Sequence, residues 1–226
     1  MPYDITKNTF DSPMQDIIEK YASLNQEYEN KCEDAAHWYT EGTCTALFSV
    51  AAWQCGYPAI CETSSIKQVL NGRPGRPAHS NGRVDLFFYD CDGSGLWIEA
   101  KKVPGSMDVS EQSDYPASKA RLERWFGISY DSAAKNRREA HEYEGKIGCL
   151  VFCSFSLRRE YYADANCQQR RAERAKHVNE VLQRVVDEDE GECSFASFFD
   201  TSETEIVDEF EYRAFGFAVL GFFEDA

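Results

Sequence analysis

Two short apolar segments, separated by a turn rich in Asp and Gly, dominate the centre of the sequence. Residues 82–89 (GRVDLFFY) are apolar after Asp85, and residues 96–103 (LWIEAKKV) alternate between apolar and polar positions. The intervening DCDGSG sequence is typical of a tight turn, so the pattern predicts two antiparallel strands. Because side chains alternate along a strand, one face of the second strand carries Leu96, Ile98 and Ala100, and the other carries Trp97, Glu99 and Lys101.

Asp85 is predicted to share a face with Glu99 and Lys101. Pairing centred on Gly93 would put Asp85 opposite Lys101, whereas a register shifted by two residues would put it opposite Glu99. In either register the two carboxylates and the lysine are within reach of one another. Lys102 points to the opposite face, so we expect its replacement to have little effect.

A pair of carboxylates beside a lysine suits hydrolysis of a phosphate ester. Two hard oxygen ligands close together favour Mg²⁺. A bound divalent ion lowers the pKa of a coordinated water and stabilises charge that develops at phosphorus. A neighbouring lysine can orient that water. The alternative is a cross-strand ion pair on an exposed sheet face, which contributes little stability.

Asp85 followed by the triplet Glu99-Ala100-Lys101 resembles the PD-(D/E)xK nuclease superfamily, over roughly residues 35–155. Gly82-Arg83-Val84 replaces the proline that often precedes the first acidic residue in this family. The resemblance implies a restriction-endonuclease-like fold and hydrolysis of phosphodiester bonds with Mg²⁺ or Mn²⁺. It also implies that Asp85, Glu99 and the backbone carbonyl of Ala100 bind the metal, and that Lys101 positions the attacking water.

The resemblance further implies an acidic residue from a helix that precedes the sheet. Glu41 lies in a predicted helix over residues 34–54, and Glu62, in a predicted strand over 57–66, is the alternative. A solvent-exposed glutamate near the start of a helix, favoured by the helix dipole, is the other interpretation of Glu41.

The rest of the pattern predicts one α/β domain over residues 1–226, with a mixed central sheet flanked by helices. The nuclease-like core covers about 35–155, and a helical and β extension covers 157–226. The expected sheet includes 83–90, 96–103 and 147–155, with Pro104-Gly105 ending the second of these strands. Residues 1–13 are expected to form a loose arm. Further helices are predicted over 14–28, 117–126, 131–144 and 163–186, and a further strand over 212–223.

Composition narrows the class of protein. The hydrophobic content of 42% argues against disorder. The nine cysteines form no C-x-x-C pair, so we expect reduced, mostly buried thiols in a cytoplasmic protein. No segment is apolar for long enough to span a bilayer, and the N-terminus lacks a signal-peptide pattern, so no membrane partner is expected.

The net charge of −15 argues against sequence-independent binding to nucleic acid over a broad basic surface. A local basic groove would still allow a nuclease to act. We expect nucleic acid as the partner, with DNA preferred over RNA, and the sequence leaves open whether the chain forms a homodimer. The expected substrate contacts are Arg73 and Arg76 in a predicted loop over 71–81, and Arg170, Arg171 and Arg174 in the predicted helix over 163–186.

Two other functions compete with the nuclease hypothesis. An apolar strand that ends in Asp90-Cys91-Asp92 resembles the first motif of haloacid-dehalogenase-type phosphatases, in which Asp90 would be the nucleophile and Asp92 the general acid. The strand that follows directly leaves no room for the flap or helix of that family, so we interpret the segment as a turn. The third hypothesis is a catalytically silent nuclease fold that only binds a partner.

Overall fold

The computed structural model describes residues 3–6, 12–68, 79–89, 95–110, 115–139, 145–159, 167–188, 195–201 and 212–223. Within these ranges the helices are α1 (Ser12–Cys32), α2 (Glu41–Gln54), α3 (Tyr115–Glu139) and α4 (Cys167–Glu188). The strands are β1 (Tyr3–Thr6), β2 (Ala59–Gln68), β3 (His79–Tyr89), β4 (Gly95–Asp108), β5 (Gly145–Arg158), β6 (Phe195–Asp200) and β7 (Tyr212–Phe223).

Strands β2 to β7 form a mixed sheet that the short strand β1 extends at one edge, in the order β1-β6-β7-β5-β4-β3-β2. The pair β4–β5 is parallel and the others are antiparallel. The parallel pair follows from the crossover through α3, because two parallel strands need a long connection. The predicted α/β class and mixed central sheet are therefore confirmed, with β5 at the centre of the sheet as its apolar sequence predicted.

Two of the described helices pack against each face of the sheet. Helices α1 and α2 cover one face, where Ile98, Ala100 and Leu150 contribute to the core. Helices α3 and α4 cover the other, where Val103, Val151 and further apolar side chains pack. Complete burial of a Val, Leu, Ile or Phe side chain stabilises the folded state by about 1.5–3 kcal/mol. The alternation of faces along β4 is the one that the sequence predicted.

Helix α2 begins later than the sequence predicted. A 3₁₀ turn occupies Ala36–Trp38, and the α-helix starts only at Glu41. Thr40 has extended backbone angles and its hydroxyl accepts a hydrogen bond from the N–H of Thr43, which makes it the N-cap. The helix ends at Gln54, before Gly56, whose φ of +91° suits glycine.

Helix α3 is continuous where two separate helices were predicted, over 117–126 and 131–144. Gly127 costs the helix about 1 kcal/mol relative to alanine. The hydroxyl of Ser129, two residues later, donates to the backbone carbonyls of Glu99 and Leu150 in the sheet. Packing against β4 and β5 thus keeps the helix continuous across the expected break.

Two predictions about strands were wrong, and one strand was missed. Part of the expected loose arm is β1, which pairs antiparallel with β6. Strand β4 does not end at Pro104-Gly105 but continues to Asp108, because a register shift between Lys102 and Ser106 accommodates the proline without a ladder bond. Strand β6 was not predicted at all, since its short apolar run follows a strongly acidic segment.

The described cysteines agree only in part with the expected buried thiols. The thiols of Cys44, Cys149 and Cys153 are buried, whereas Cys32 is exposed. The helices in the described ranges lack an apolar stretch of the length that a membrane span needs.

Candidate active site at the fork between β3 and β4

The ladder between β3 and β4 ends just before the acidic residues. Its last pair joins Leu86 to Ile98, so Asp85 and Glu99 are the next residues along the two strands. Of the two registers considered, the structure has the one that puts Asp85 opposite Glu99 instead of Lys101. Beyond this point β3 pairs with β2 and β4 pairs with β5. The sheet therefore forks between β3 and β4 at the level of Asp85.

Two carboxylates take the place of the missing strand partner at this fork. The N–H of Ala100 donates to Asp85 Oδ2 at 2.9 Å, and the N–H of Lys102 donates to Glu41 Oε2 at 3.2 Å. Alternate residues of a strand direct their N–H groups to the same side, so both lie on the side that β3 has left. Because backbone donors in a folded protein need partners, the backbone of β4 holds both carboxylates in position.

The Lys101 ammonium lies where these oxygen atoms converge. Its Nζ atom is 3.3 Å from Asp85 Oδ2, 3.5 Å from Glu41 Oε1 and 2.5 Å from the backbone carbonyl of Ala100. The side chains of Lys101 and Asp85 are 20% and 28% exposed, so the pair is partly shielded from water. The predicted grouping of Asp85, Lys101 and Glu41 is therefore present in the structure.

The charge environment keeps Lys101 protonated. Burial by itself would lower the pKa of Lys101, but the negative charges of Asp85, Glu41 and Glu99 outweigh it, and the pKa is raised above the ordinary value. The negative charges stabilise the ammonium more strongly because little water is present to screen them.

Glu41 reaches the site because of where α2 begins. The cap at Thr40 places Glu41 in the first turn of the helix, where the helix dipole favours a carboxylate. From there it contacts both Lys101 and the backbone of Lys102. The alternative candidate, Glu62, lies on β2, and its side chain is outside the described part of the chain.

Helix α3 supplies two residues that the sequence did not reveal as part of the site. The side-chain amide of Asn136 donates to Glu99 Oε1, and the Ser129 hydroxyl donates to the Glu99 backbone carbonyl at 3.0 Å. Glu99 is only 8% exposed, so Asn136 orients a nearly buried carboxylate while Ser129 anchors its backbone. The seven-residue spacing of Ser129 and Asn136, which puts them on one helix face, was the available signal.

The oxygen atoms of the fork are chemically suited to Mg²⁺ or Mn²⁺. The described residues contain no group of three or more His, Cys, Asp or Glu side chains placed to hold a metal ion. Instead, the carboxylates of Asp85 and Glu41 and the carbonyl of Ala100 surround the Lys101 cation. A set of hard oxygen atoms that already surrounds one positive charge fits a divalent ion, provided that the lysine side chain moves aside.

Lys102 points away from this cluster, as predicted, but it is not at the surface. It is 9% exposed, and its ammonium donates to the Ser154 hydroxyl at 3.4 Å within the core under α1 and α2. Burial lowers the pKa of Lys102 below its ordinary value. That Lys102→Ala has little effect on the fork stays a prediction, whereas burial gives this side chain a packing role in the core.

Ser154 also belongs to a buried polar network that the sequence did not reveal. Its hydroxyl donates to the His37 backbone carbonyl at 2.6 Å and is 3.2 Å from His37 Nδ1. His37 Nε2 lies 3.3 Å from Glu29 Oε1, and both side chains are almost fully buried. The network joins α1, the 3₁₀ turn and β5 on the face of the sheet opposite Glu99.

The expected substrate contacts that lie within the described residues are not at the fork. Arg170, Arg171 and Arg174 lie on α4, which packs against β1 and β6 at the other end of the sheet. Arg171 there lies 4.0 Å from Asp200. Arg73 and Arg76 fall outside the described residues, and so do Asp90 and Asp92 of the phosphatase hypothesis.

The chain matches no protein-family model, no curated protein and no solved structure. Any assignment of activity therefore depends on the residues of the fork.

Proposed function

We propose that this chain is a metal-dependent nuclease that hydrolyses phosphodiester bonds, with the restriction-endonuclease-like fold of the PD-(D/E)xK superfamily. The observation that carries the proposal is the convergence of Asp85, Glu41 and the Ala100 carbonyl on one cationic atom, beside Glu99. The order α2-β2-β3-β4-α3-β5 supports it, because a helix, three strands, a helix and a strand form the core of that fold. DNA is the expected substrate.

In this proposal each residue of the fork has one role. Asp85, Glu99 and the Ala100 carbonyl would hold Mg²⁺ or Mn²⁺, and Glu41 would complete the acidic cluster. The ion would supply Lewis-acid stabilisation of the phosphate and a more acidic water. Lys101 would leave its present position among the oxygen atoms, orient the attacking water and stabilise the charge that develops at phosphorus. Asn136 would keep Glu99 oriented.

The decisive variant is Asp85→Asn, which preserves volume and removes one charge. Its amide oxygen can still accept the Ala100 N–H, so the fork should remain intact. We expect the rise in Tm with Mg²⁺ to disappear, because that rise requires binding to the folded state. Cleavage should fall by about 100-fold or more. Asp108→Asn, at the other end of β4, is the matched control and should retain both properties.

The assay compares plasmid, single-stranded DNA and RNA with a phosphate monoester, in Mg²⁺, Mn²⁺ or chelator. Lys101→Met should abolish cleavage while strengthening the Mg²⁺-dependent rise in Tm, because a competing cation has been removed. Activity on the monoester that survives both variants and disappears in Asp90→Asn would favour the phosphatase. Absence of both cleavage and a metal-dependent Tm in the wild type would favour a binding fold.

A further inference from the structure

A row of aromatic side chains continues from the acidic cluster along the same face of the sheet. On β3, Phe87 and Tyr89 follow Asp85 at two-residue intervals, and on β4, Trp97 precedes Glu99 by two residues. Phe87 is paired with Trp97 in the ladder. Side chains two residues apart on a strand are separated by about 6.8 Å. The aromatic pair is therefore the immediate neighbour of the Asp85–Glu99 pair.

The three rings pack into one surface, which we call the aromatic patch (Phe87, Tyr89 and Trp97). The centroid of the Phe87 ring lies 4.6 Å from that of Tyr89, in an edge-to-face arrangement, and 4.2 Å from that of Trp97. Gly95, opposite Tyr89, makes room for this packing, because a Cβ atom there would come within 2.5 Å of the Phe87 ring.

Phe87 is the buried member of the aromatic patch, and Tyr89 and Trp97 are its more exposed members. Phe87 is 7% exposed, whereas Tyr89 is 47% exposed and Trp97 is only partly buried. Ile60, opposite Phe87 on β2, is exposed and extends the apolar surface. Single exposed apolar residues are ordinary, but a contiguous group beside a polar site indicates a binding surface.

The charge of the chain restricts what this surface can bind. A net charge of −15 opposes the approach of a nucleic acid, so contacts that do not depend on charge favour its binding. Stacking of bases on aromatic rings is such a contact and contributes about 1–3 kcal/mol per base. Stacking requires bases whose faces are accessible, which a single strand has and an intact duplex lacks.

We propose that the aromatic patch stacks the unpaired bases of a single-stranded nucleic acid and thereby delivers the adjacent phosphodiester to the fork. The proposal rests on the proposed function for the position of that phosphodiester. Trp97 and Tyr89 contact the bases, and Phe87 holds both rings in place. Asp85, Glu99 and Lys101 lie one step further along the same face.

The test measures binding of fluorescent oligomers by anisotropy in chelator, so that nothing is cleaved. A thymidine oligomer, a uridine oligomer and a mixed-sequence duplex are compared, the first two to distinguish DNA from RNA. The full chain should bind a single strand more tightly than the duplex, with a weak dependence on salt. Tyr89→Ala should weaken single-strand binding by about 5- to 150-fold, the range expected for the loss of one base stack.

Matched variants separate stacking from folding. Tyr89→Phe keeps the ring and should bind like the wild type. Trp97→Leu should weaken binding, whereas Trp53→Leu should not, because Trp53 is an exposed tryptophan on α2, on the other side of the sheet. Circular dichroism and Tm of each variant verify the fold.

Equal binding of duplex and single strand by the wild type, or unchanged single-strand binding in a folded Tyr89→Ala, would overturn the proposal. Cleavage of duplex that depends on Asp85 but not on Tyr89 would leave the nuclease standing and remove the stacking role. Binding that depends on Tyr89 without any metal-dependent cleavage would support the patch and refute the proposed nuclease activity.

Discussion

At the scale of single residues, Lys101 and Lys102 show how one strand gives adjacent lysines opposite environments. Lys101 is surrounded by negative charge and its pKa is raised, although burial by itself would lower it. Lys102 is buried under α1 and α2 and its pKa is lowered, with burial as the main cause. Among the described residues its ammonium has one hydroxyl partner, at 3.4 Å, which compensates poorly for its lost hydration.

Replacing Lys102 with methionine should therefore leave the free energy of unfolding at neutral pH unchanged or increase it. The variant keeps most of the side-chain volume and removes a buried charge. Lys102→Ala removes the volume as well and leaves a cavity, so it should be less stable than Lys102→Met by about 2 kcal/mol or more. Urea denaturation of the two variants measures the difference, and equal loss of stability in both would contradict this explanation.

At the scale of elements, the first turn of α2 links helix stability to the composition of the site. Thr40 accepts the Thr43 N–H, and the helix start that it defines puts Glu41 beside Lys101. The N-cap at Thr40 therefore affects the fork, because it sets where α2 begins and α2 carries Glu41.

Thr40→Ala should destabilise the protein by about 1 kcal/mol, the usual cost of losing an N-cap hydroxyl. It should also reduce the Mg²⁺-dependent rise in Tm, because fraying of the first turn displaces Glu41. Thr43→Ala is the matched control, since it removes a similar hydroxyl but keeps the N–H that the cap accepts. If both variants melt alike and respond alike to Mg²⁺, the cap does not position Glu41.

At the scale of the whole molecule, the network of Glu29, His37 and Ser154 makes stability sensitive to acid. Burial lowers the pKa of His37, an effect that Glu29 and Asp34 oppose and Lys102 reinforces. His37 therefore takes up a proton more readily in the unfolded chain, where its pKa is about 6.5. As pH falls from about 6.5 towards the lower pKa of the folded state, the unfolded chain binds more protons and stability is lost.

His37→Gln should weaken this dependence, so its denaturation midpoint should fall less between pH 7.5 and pH 5.5 than that of the wild type. His177→Gln, on the surface of α4, should keep the wild-type acid sensitivity because His37 remains. The measurement is the urea midpoint of each variant across this pH range. A His37→Gln slope identical to that of the wild type would show that other groups cause the acid sensitivity.

Local patterns in the sequence determined the faces of the central strands. Apolar residues at every second position of β4 placed Ile98 and Ala100 in one core and left Glu99 and Lys101 on the other face. The apolar, aromatic-rich run of β7 likewise predicted a strand with the observed bounds, Tyr212–Phe223. Such features are readable because the side-chain period of a strand is a property of the local backbone.

The tertiary structure alone decided the register, the fork and the members of the site. A shift of two residues leaves every side chain of β4 on the same face, so alternation could not choose between Glu99 and Lys101 as the neighbour of Asp85. Glu41, Asn136 and Ser129 come from helices far away in the sequence, and only packing brings them to β4. Whether a lysine such as Lys102 is buried likewise depends on which helices cover its face of the sheet. A local sequence pattern does not contain that information.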